Sequence, residues 1–354
     1  MLRQDRSKVR RKVETMRVGV IGTGAIANKH ALAYRNLGFR ITACTNKSAE
    51  LGRSFAEANG AEFVATAQEL CARADVDFVD VCTFPDYRLE AVRLCAAAGK
   101  HVLVQKPMAT KLATAREMIE VAHKAGIRLG VVSQHRFDDA TIFLKKAIKD
   151  GRLGRILQAD AYVKWWRSAE YYSRAIKGSW EIEGGGALIN QGIHQVDLLL
   201  YLAGPVEQVF GYWQLGAVHK IQSEDSLSAL LRYADGANGV IQASTALWPG
   251  YPERIEIHGT RGTAIITGDK LTQWDVQDDS GDAAPVVRDV ASGASDPMAI
   301  SVVPFERQFQ DFSEACGTGR SPLIAGEDGY RALQLVTAIY DSCRTNMPIT
   351  VTNA

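Results

Sequence analysis

Short apolar segments alternate with helical segments along residues 17–133, and no other feature of the sequence constrains the fold as strongly. Parallel strands need crossover connections, which are right-handed in nearly all proteins, and a sheet built this way carries helices on both faces. The segment therefore predicts a doubly wound α/β domain with a parallel sheet. The predicted strands are residues 18–21, 40–44, 78–82, 101–104 and 128–133, and the predicted helices are residues 26–37, 48–59, 87–98 and 110–125.

The pattern changes after residue 150, where strand-like runs follow one another with few helices between them. Short turns join several of these runs, which is typical of an antiparallel sheet. We therefore predict a dinucleotide-binding Rossmann domain over residues 16–140, followed by an α+β domain over residues 141–354 that binds substrate and forms the oligomer. The predicted strands are residues 156–166, 206–213, 226–233, 239–243, 254–259 and 263–267, and the predicted helices are residues 190–202, 304–316 and 329–344.

Helices on one face of the second sheet would leave its other face in need of burial. The runs 206–213 and 239–247 are rich in apolar side chains. We therefore expect a homodimer or homotetramer formed through that face.

The charge balance and the cysteines exclude several classes of protein. The chain has 41 Lys and Arg residues against 40 Asp and Glu residues, so nothing global indicates nucleic-acid binding. No apolar run approaches the ~18–20 residues of a membrane helix. The six cysteines show neither CxxC spacing nor a cluster with histidines, so we expect reduced thiols, a cytoplasmic protein and no metal site.

Residues 1–15 are strongly basic, with six Lys or Arg residues and two acids. Such a segment could be a nucleic-acid-binding arm or a targeting segment. It lacks the apolar core of a secretory signal, and we interpret it as a disordered extension.

A glycine motif stands where the first predicted strand turns into the first helix. Gly22 permits a tight turn, Gly24 allows the backbone to approach a pyrophosphate, and Ala27 allows close packing of helix on sheet. A tight structural turn is the alternative, but the strand–turn–helix context favours dinucleotide binding. The residues expected at the cofactor are Gly22, Gly24, Ala25 and Ile26.

The end of the second predicted strand bears on which dinucleotide binds. NAD enzymes usually place an acid there for the ribose 2′-hydroxyl, whereas this chain has Thr45, Asn46 and Lys47. All three could donate to a 2′-phosphate, which slightly favours NADP. Asn46 could equally hold a free ribose, so NAD stays open.

Lys106 ends the fourth predicted strand, at the edge where doubly wound sheets bind ligands. An ordinary surface lysine is the alternative, but at this edge an amine could orient a reacting hydroxyl. Its neighbour Gln105, and Thr83 after the third strand, are expected at the cofactor.

Residues 184–197 contain a glycine triplet followed by a helix. Asn190, His194 and Asp197 are spaced to share one face of that helix. The glycines allow another backbone, or a ligand, to approach closely. His194 is either a catalytic histidine or a satisfied core residue.

Together these segments resemble the Gfo/Idh/MocA family (glucose–fructose oxidoreductase, inositol dehydrogenase and rhizopine catabolism), from Met16 to the C-terminus. The resemblance implies a nicotinamide-dependent sugar or polyol oxidoreductase, with a Rossmann domain and a second domain built on an open, largely antiparallel sheet. It implies catalytic roles for Lys106 and His194. The segments that carry it are residues 18–24, 82–83, 102–107, 184–197, 255–262 and 326–329.

The chain departs from the family pattern at three places. Gln105 replaces a glutamate beside the lysine, Asn190 stands where several members carry an aspartate, and residues 84–86 replace a proline–asparagine turn. The change at Asn190 matters most, because it leaves Lys106 and His194 as the only obvious proton-transfer pair.

Substrate-binding candidates follow from their position near this pair. Aromatic rings offer apolar faces to sugar C–H groups, and the absence of an arginine cluster favours a neutral sugar, polyol or glycoside over a sugar phosphate. Part of the aromatic set could instead pack the domain interface. The expected substrate-binding residues are Lys106, Gln134, His135, Trp165, Arg167, Tyr172, Trp180, Asn190 and His194.

Two other functions remain open at this point. Some members of the family that the chain resembles hydrolyse glycosides through transient oxidation by a bound NAD. Release of an aglycone without net reduction of the cofactor would identify such a hydrolase. A non-catalytic NAD(P)-binding sensor is the third hypothesis, although a sensor needs neither Lys106 nor His194.

Overall fold

A computed structural model describes residues 15–173, 176–278, 281, 283–287 and 301–352. The first half forms a parallel six-stranded sheet in the order β3-β2-β1-β4-β5-β6, which confirms the doubly wound prediction. The sequence analysis missed β3, because two residues are too short for a pattern. The strands are β1 (Arg17–Ile21), β2 (Arg40–Thr45), β3 (Glu62–Phe63), β4 (Phe78–Val81), β5 (His101–Val104) and β6 (Leu129–Val131).

The helices that flank this sheet end where the sequence punctuates them. The Ser48 side chain accepts from the N–H of Leu51 at the start of the second helix, and Gly60 ends that helix in the left-handed conformation (φ +63°). Gly126 ends the fifth helix in the same way. The helices of this sheet are α1 (Ala25–Asn36), α2 (Ala49–Asn59), α3 (Ala67–Cys71), α4 (Arg88–Ala97) and α5 (Leu112–Ala125). The next helix, α6 (Asp139–Lys149), follows β6 but packs against the second sheet.

The second half forms an eight-stranded sheet in the order β13-β12-β11-β7-β10-β9-β8-β14. Only β7 and β10 pair in parallel, so the sheet is largely antiparallel as predicted. The strands are β7 (Ile156–Lys164), β8 (Val206–Leu215), β9 (Glu224–Tyr233), β10 (Asn238–Ser244), β11 (Arg254–Gly259), β12 (Gly262–Thr267), β13 (Lys270–Val276) and β14 (Ile349–Thr350).

Three helices complete the described chain: α7 (Ile193–Ala203), α8 (Val303–Thr318) and α9 (Gly326–Thr345). Helices α7 and α9 pack on the second sheet, whereas α8 returns to the first. Three phenylalanines of α8 share a buried cluster with Tyr34 of α1 and Phe78 of β4. The expected division at residue 140 therefore misses α8, which packs on the first sheet although it follows the second.

Several expectations concern the whole chain. The basic segment 1–15 lies, except for Thr15, outside the described residues. All six cysteines are free thiols. Within the described ranges, no helix is both long enough and apolar enough to span a bilayer.

A buried ion pair ties the two sheets together. Arg136, just after β6, donates to both carboxylate oxygens of Asp197 on α7 (2.6 and 2.8 Å) and to Asp328 on α9 (3.2 Å). The hydroxyl of Ser133 also donates to Asp197 (2.6 Å). Asp197 was expected to share a face with His194, but these contacts direct its carboxylate to the domain junction.

We expect Arg136→Met to lower the free energy of unfolding by ~3–5 kcal/mol, because it leaves the buried Asp197 carboxylate without its guanidinium, whereas half-buried Asp328 keeps Arg331. The matched control is Arg331→Met, which removes a largely exposed partner of Asp328 and is expected to cost ~0–1 kcal/mol. Urea unfolding measures both losses. Equal losses in the two variants would contradict the role assigned to Arg136.

Candidate active site

The loop between β1 and α1 carries the two glycines of the predicted dinucleotide motif. Gly22 has a φ of +90°, and its N–H donates to the carbonyl of Thr45 (2.9 Å). A Cβ at Gly22 would lie 3.0–3.1 Å from atoms of residues 82 and 83, so a larger residue would be crowded. A Cβ at Gly24 would meet no described atom within 4 Å, so the space beside it is open to a ligand.

The polar groups around this loop fit the predicted dinucleotide. Helix α1 begins after Gly24 without a side-chain cap and without an acid in its first turn, which leaves N–H groups for an anion. The hydroxyl oxygens of Thr23 and Thr83 are buried and have no hydrogen-bond partner among the described residues. These groups, with Ala25 and Ile26 in the first turn, would hold NAD or NADP.

The end of β2 presents no acid to the ribose. Thr45 is buried, Asn46 is half-buried and Lys47 is exposed. The ammonium of Lys47 lies 3.5 Å from the ring centroid of Tyr87, so a neighbouring loop holds it at this edge.

A buried polar network lies beneath the glycine loop. Nδ1 of His30 lies 2.6 Å from the Asp80 carboxylate, which also accepts from the hydroxyl of Tyr34. Because Asp80 accepts, Nδ1 carries the proton, and Nε2 accepts from the amide of Gln105 (2.8 Å). The side-chain oxygen of Gln105 accepts from the N–H of Lys106 (3.3 Å), so Gln105 links this network to the end of β5.

Arg88 fixes the turn that presents Lys106. Its buried guanidinium donates to the carbonyls of Thr83, Gln105 and Pro107. Burial lowers the pKa of Arg88 to about 9.

Lys106 spans the gap between the two halves of the molecule. Its ammonium donates to the backbone carbonyl of Asn190 (2.7 Å). Burial lowers the pKa of Lys106 to about 8, and the charges of Lys177 and Arg88 contribute in the same direction. The amine therefore titrates close to neutral pH, as groups that move protons in catalysis often do.

Lys106 and His194 line one cleft of about 260 Å³, between the carboxyl edge of the first sheet and the second sheet. Nine of the residues predicted for the site meet here. The lining residues are Ile26, Gln105, Lys106, Gln134, His135, Trp165, Arg167, Tyr171, Lys177, Asn190, Gln191, His194, Gln195, Glu253 and Phe305.

Two histidines pack edge to face in this cleft. The ring centroids of His135 and His194 are 5.0 Å apart. Burial and the charge of Lys106 hold the pKa of His194 well below its usual range, so its ring is neutral. Burial opposes the charge of His135, but the Asp138 carboxylate 2.7 Å away raises its pKa. Within the described part of the chain, Nδ1 of His194 is buried and meets no hydrogen-bonding group.

Two of the expected substrate-binding residues lie outside the cleft lining. The hydroxyl of Tyr172 shares a hydrogen bond with Thr245 (2.7 Å), and its ring packs on His219. Trp180 packs against Trp213 and Tyr340. For Trp180 and Tyr172, aromatic composition alone could not separate packing residues from ligand-facing ones.

The sequence analysis missed five lining residues and did not select a sixth, Tyr171. Lys177 follows the aromatic-rich segment, and the sequence shows its positive charge but does not indicate that its side chain faces the cleft. Gln191 and Gln195 flank the predicted helix residues, so the helix itself was the available signal. Glu253 and Phe305 come from distant segments and carried no local signal.

Among the residues that the structure describes, two groups of side chains have the spacing of metal ligands, one beneath the glycine loop and one on the second sheet. Their ligand atoms are already engaged: His30 with Asp80 (2.6 Å), Asp160 with Gln158 (2.7 Å) and Glu256 with Arg254 (2.5 Å). We therefore assign no metal to either group. The groups are His30, Asp80 and Cys82, and Asp160, Glu256 and His258.

Comparison with known proteins identifies full-length relatives. The chain is 30% identical to 1,5-anhydro-D-fructose reductase from Ensifer adhaerens over 338 residues, 93% of this chain and 96% of the relative. It is 26% identical to inositol 2-dehydrogenase from Rhizobium meliloti over 344 residues, 95% of this chain and 99% of the relative. The solved WlbA dehydrogenase from Bordetella pertussis, in complex with NADH and UDP-GlcNAcA, matches with a TM-score of 0.83 and 29% identity, covering 96% of this chain and 100% of that one.

The family matches cover both halves of the chain. Residues 16–133 match an oxidoreductase family with an NAD-binding Rossmann fold, and residues 142–265 match the Gfo/Idh/MocA C-terminal domain. As its motifs predicted, the chain belongs to the Gfo/Idh/MocA family of oxidoreductases.

Proposed function

We propose that this protein is an NAD(P)-dependent dehydrogenase that interconverts a hydroxyl and a keto carbon of a sugar, polyol or glycoside. One observation carries the proposal. A lysine with a pKa of about 8 and a neutral histidine, whose Nδ1 meets no hydrogen-bonding group in the described part of the chain, line a single cleft beside an open dinucleotide loop. The names of its relatives, a sugar reductase and an inositol dehydrogenase, support the same substrate class.

In the proposed mechanism, His194 accepts the proton of the substrate hydroxyl. Its ring is neutral at pH 7 because its pKa is well below the usual range, and its buried Nδ1 meets no described acceptor or donor. The Lys106 ammonium donates to the same oxygen and stabilises the developing alkoxide. A bound nicotinamide cofactor supplies the hydride acceptor. In the reverse direction His194 returns the proton.

The other lining groups exclude water and orient the sugar. Trp165 and Tyr171 offer apolar faces, and the guanidinium of Arg167 lies 4.7 Å from the Trp165 ring. Asn190 and Gln134 present amides to hydroxyl groups.

A panel of sugars, polyols and aryl glycosides tests the proposal, with the absorbance of the reduced cofactor as readout and both NAD and NADP supplied. We expect cofactor reduction with at least one sugar or polyol. Release of an aglycone without net reduction would establish the hydrolase instead, and binding of cofactor with no turnover would establish the sensor.

The pH profile of sugar oxidation separates the roles of the two catalytic groups. Lys106 is protonated below its pKa of about 8, so kcat/KM is expected to fall as the pH rises through 8. A rate that instead rises through pH 8 would assign the proton acceptor to Lys106.

His194→Ala is expected to lower kcat by about 10²–10⁴ while NADH still binds.

We propose that the protein accepts NADP at least as well as NAD, because β2 ends without an acid and an exposed lysine, Lys47, follows it. Thr45→Asp is expected to shift the preference to NAD, since a carboxylate repels a 2′-phosphate. The ratio of kcat/KM for the two cofactors measures this, with Thr45→Asn as the uncharged control. A native preference for NAD above about tenfold, or ~1.4 kcal/mol, would contradict it.

We also propose a homodimer or homotetramer formed through the open face of the second sheet. Phe210, Leu230 and Val240 are register partners across β8, β9 and β10, and Leu230 is 60% exposed. Leu230→Arg is expected to yield monomers in light scattering, whereas Leu32→Arg, which alters an exposed leucine of α1, leaves the assembly intact. A native monomer at micromolar concentration would overturn the proposal.

Free thiols throughout the chain are typical of a reducing compartment, which supports the cytoplasm as the proposed location.

We propose that residues 16–140 together with α8 form the dinucleotide-binding unit, and that the second sheet with α7 and α9 forms the substrate-binding and assembly unit.

A further inference from the structure

Glu224 begins β9 and is completely buried, yet it does not line the cleft. Its carboxylate accepts three hydrogen bonds. The donors are the N–H of Gly186 (2.8 Å), the N–H of Leu188 (2.9 Å) and the hydroxyl of Tyr340 on α9 (2.6 Å). Two of these donors belong to the segment that leads into α7.

The glycine triplet makes this contact possible. A Cβ at Gly186 would lie 1.9 Å from the backbone oxygen of Glu224. Gly185 has a φ of +151°, and a Cβ there would lie 2.4 Å from the hydroxyl of Tyr340. The close approach anticipated for these glycines is therefore made by β9 and α9 of this same chain.

The segment held in this way positions the catalytic lysine. Leu188–Gly192 forms a π-helical turn, a geometry that is rare and concentrated at functional sites. Asn190 lies within this turn, its N–H donates to the carbonyl of Gly186 (3.1 Å), and its own carbonyl accepts from the Lys106 ammonium (2.7 Å). A hydrogen-bonded path thus leads from Glu224 through Gly186 and Asn190 to Lys106.

We propose that Glu224 is a positioning residue of the active site: with Tyr340, its carboxylate sets where the helix of Asn190 and His194 begins, and so where the Lys106 ammonium is held. The inference rests on the proposed function only for its kinetic consequences.

The energetics favour this role over simple packing. Burial raises the pKa of Glu224 to about 7, although Tyr340 and the two amides act in the opposite direction. Burial therefore disfavours the ionised form of this carboxyl group, and perturbed pKa values of this kind are concentrated at functional sites.

Glu224→Gln tests the proposal, because it keeps the size of the side chain but replaces an accepting oxygen with an amide that can only donate. Asp225→Asn is the matched control. Asp225 is the next residue, is equally buried and accepts three backbone N–H groups, at Ala217, Val218 and His219. Those three donors belong to a loop that contributes no residue to the cleft lining.

Competitive acetylation with acetic anhydride, read by peptide mass spectrometry, reports on Lys106 without any substrate. At pH 6, where almost all of Lys106 is protonated, Glu224→Gln is expected to raise the reactivity of Lys106 about tenfold against the other lysines, because a weaker hydrogen bond from its ammonium to the Asn190 carbonyl leaves more of the amine unprotonated. Asp225→Asn is expected to leave it unchanged. Equal reactivity in the two variants would overturn the inference.

The kinetic arm uses whichever sugar the panel identifies. Glu224→Gln is expected to lower kcat about 10–100-fold, with the Kd for NADH and the KM for sugar each within about twofold of the native values, and Asp225→Asn to leave kcat within about twofold. An equal loss of kcat in both variants would reduce Glu224 to a structural residue. If the native protein turns over no substrate, the proposed function fails while the acetylation result still decides the role of Glu224.

Tyr340→Phe keeps the inference testable if Glu224→Gln does not fold. It removes one of the three donors and preserves the ring packing, so a smaller rise in Lys106 reactivity, about threefold, is expected. No rise would overturn the proposal.

Discussion

The active site depends on a buried ion pair that lies outside it. Arg136 follows the last strand of the first sheet, whereas Asp197 and Asp328 belong to helices of the second half. A buried ion pair tolerates little displacement of either side chain, because moving one of them away leaves the other charge buried without its counter-ion. The pair therefore fixes α7 against the end of β6. Because Lys106 and His194 come from opposite sides of this junction, their proximity is a consequence of it.

Within the cleft, the distribution of charge decides which group can do which chemistry. Burial, with the nearby charges of Lys177 and Arg88, lowers the pKa of Lys106, so its ammonium gives up a proton more readily than that of a surface lysine. Burial and the charge of Lys106 lower the pKa of His194, so its ring is neutral. A neutral base beside a weakly acidic ammonium suits an alcohol that must lose its proton and retain a stabilised oxygen. Neither side chain would have these properties alone on a surface.

The sequence predicted the architecture well because local rules determine it. A glycine such as Gly22 allows a tight turn, and Gly60 and Gly126 end their helices. Lys106 and Gln134 lie together because both follow strands at the carboxyl edge of the parallel sheet. Residues brought in by tertiary packing were beyond such rules. Glu253 and Phe305 reach the cleft only because segments distant in sequence fold beside it, whereas Trp180 packs on Trp213 and Tyr340 and does not line the cleft. The sequence analysis did not select Glu224 for the same reason, because a single acid in a strand does not indicate which groups its carboxylate contacts.

The return of α8 to the first sheet has a consequence for how the chain is made. Phe305, Phe309 and Phe312 complete the aromatic cluster around Tyr34 and Phe78, but they follow every strand of the second sheet except β14. A nascent chain therefore emerges from the ribosome with the part of its first sheet around Phe78 incompletely covered until α8 has been synthesised. Truncation before α8 would leave apolar rings exposed to solvent. The nucleotide-binding half is thus synthesised first, but its packing is completed only after most of the second half has been synthesised.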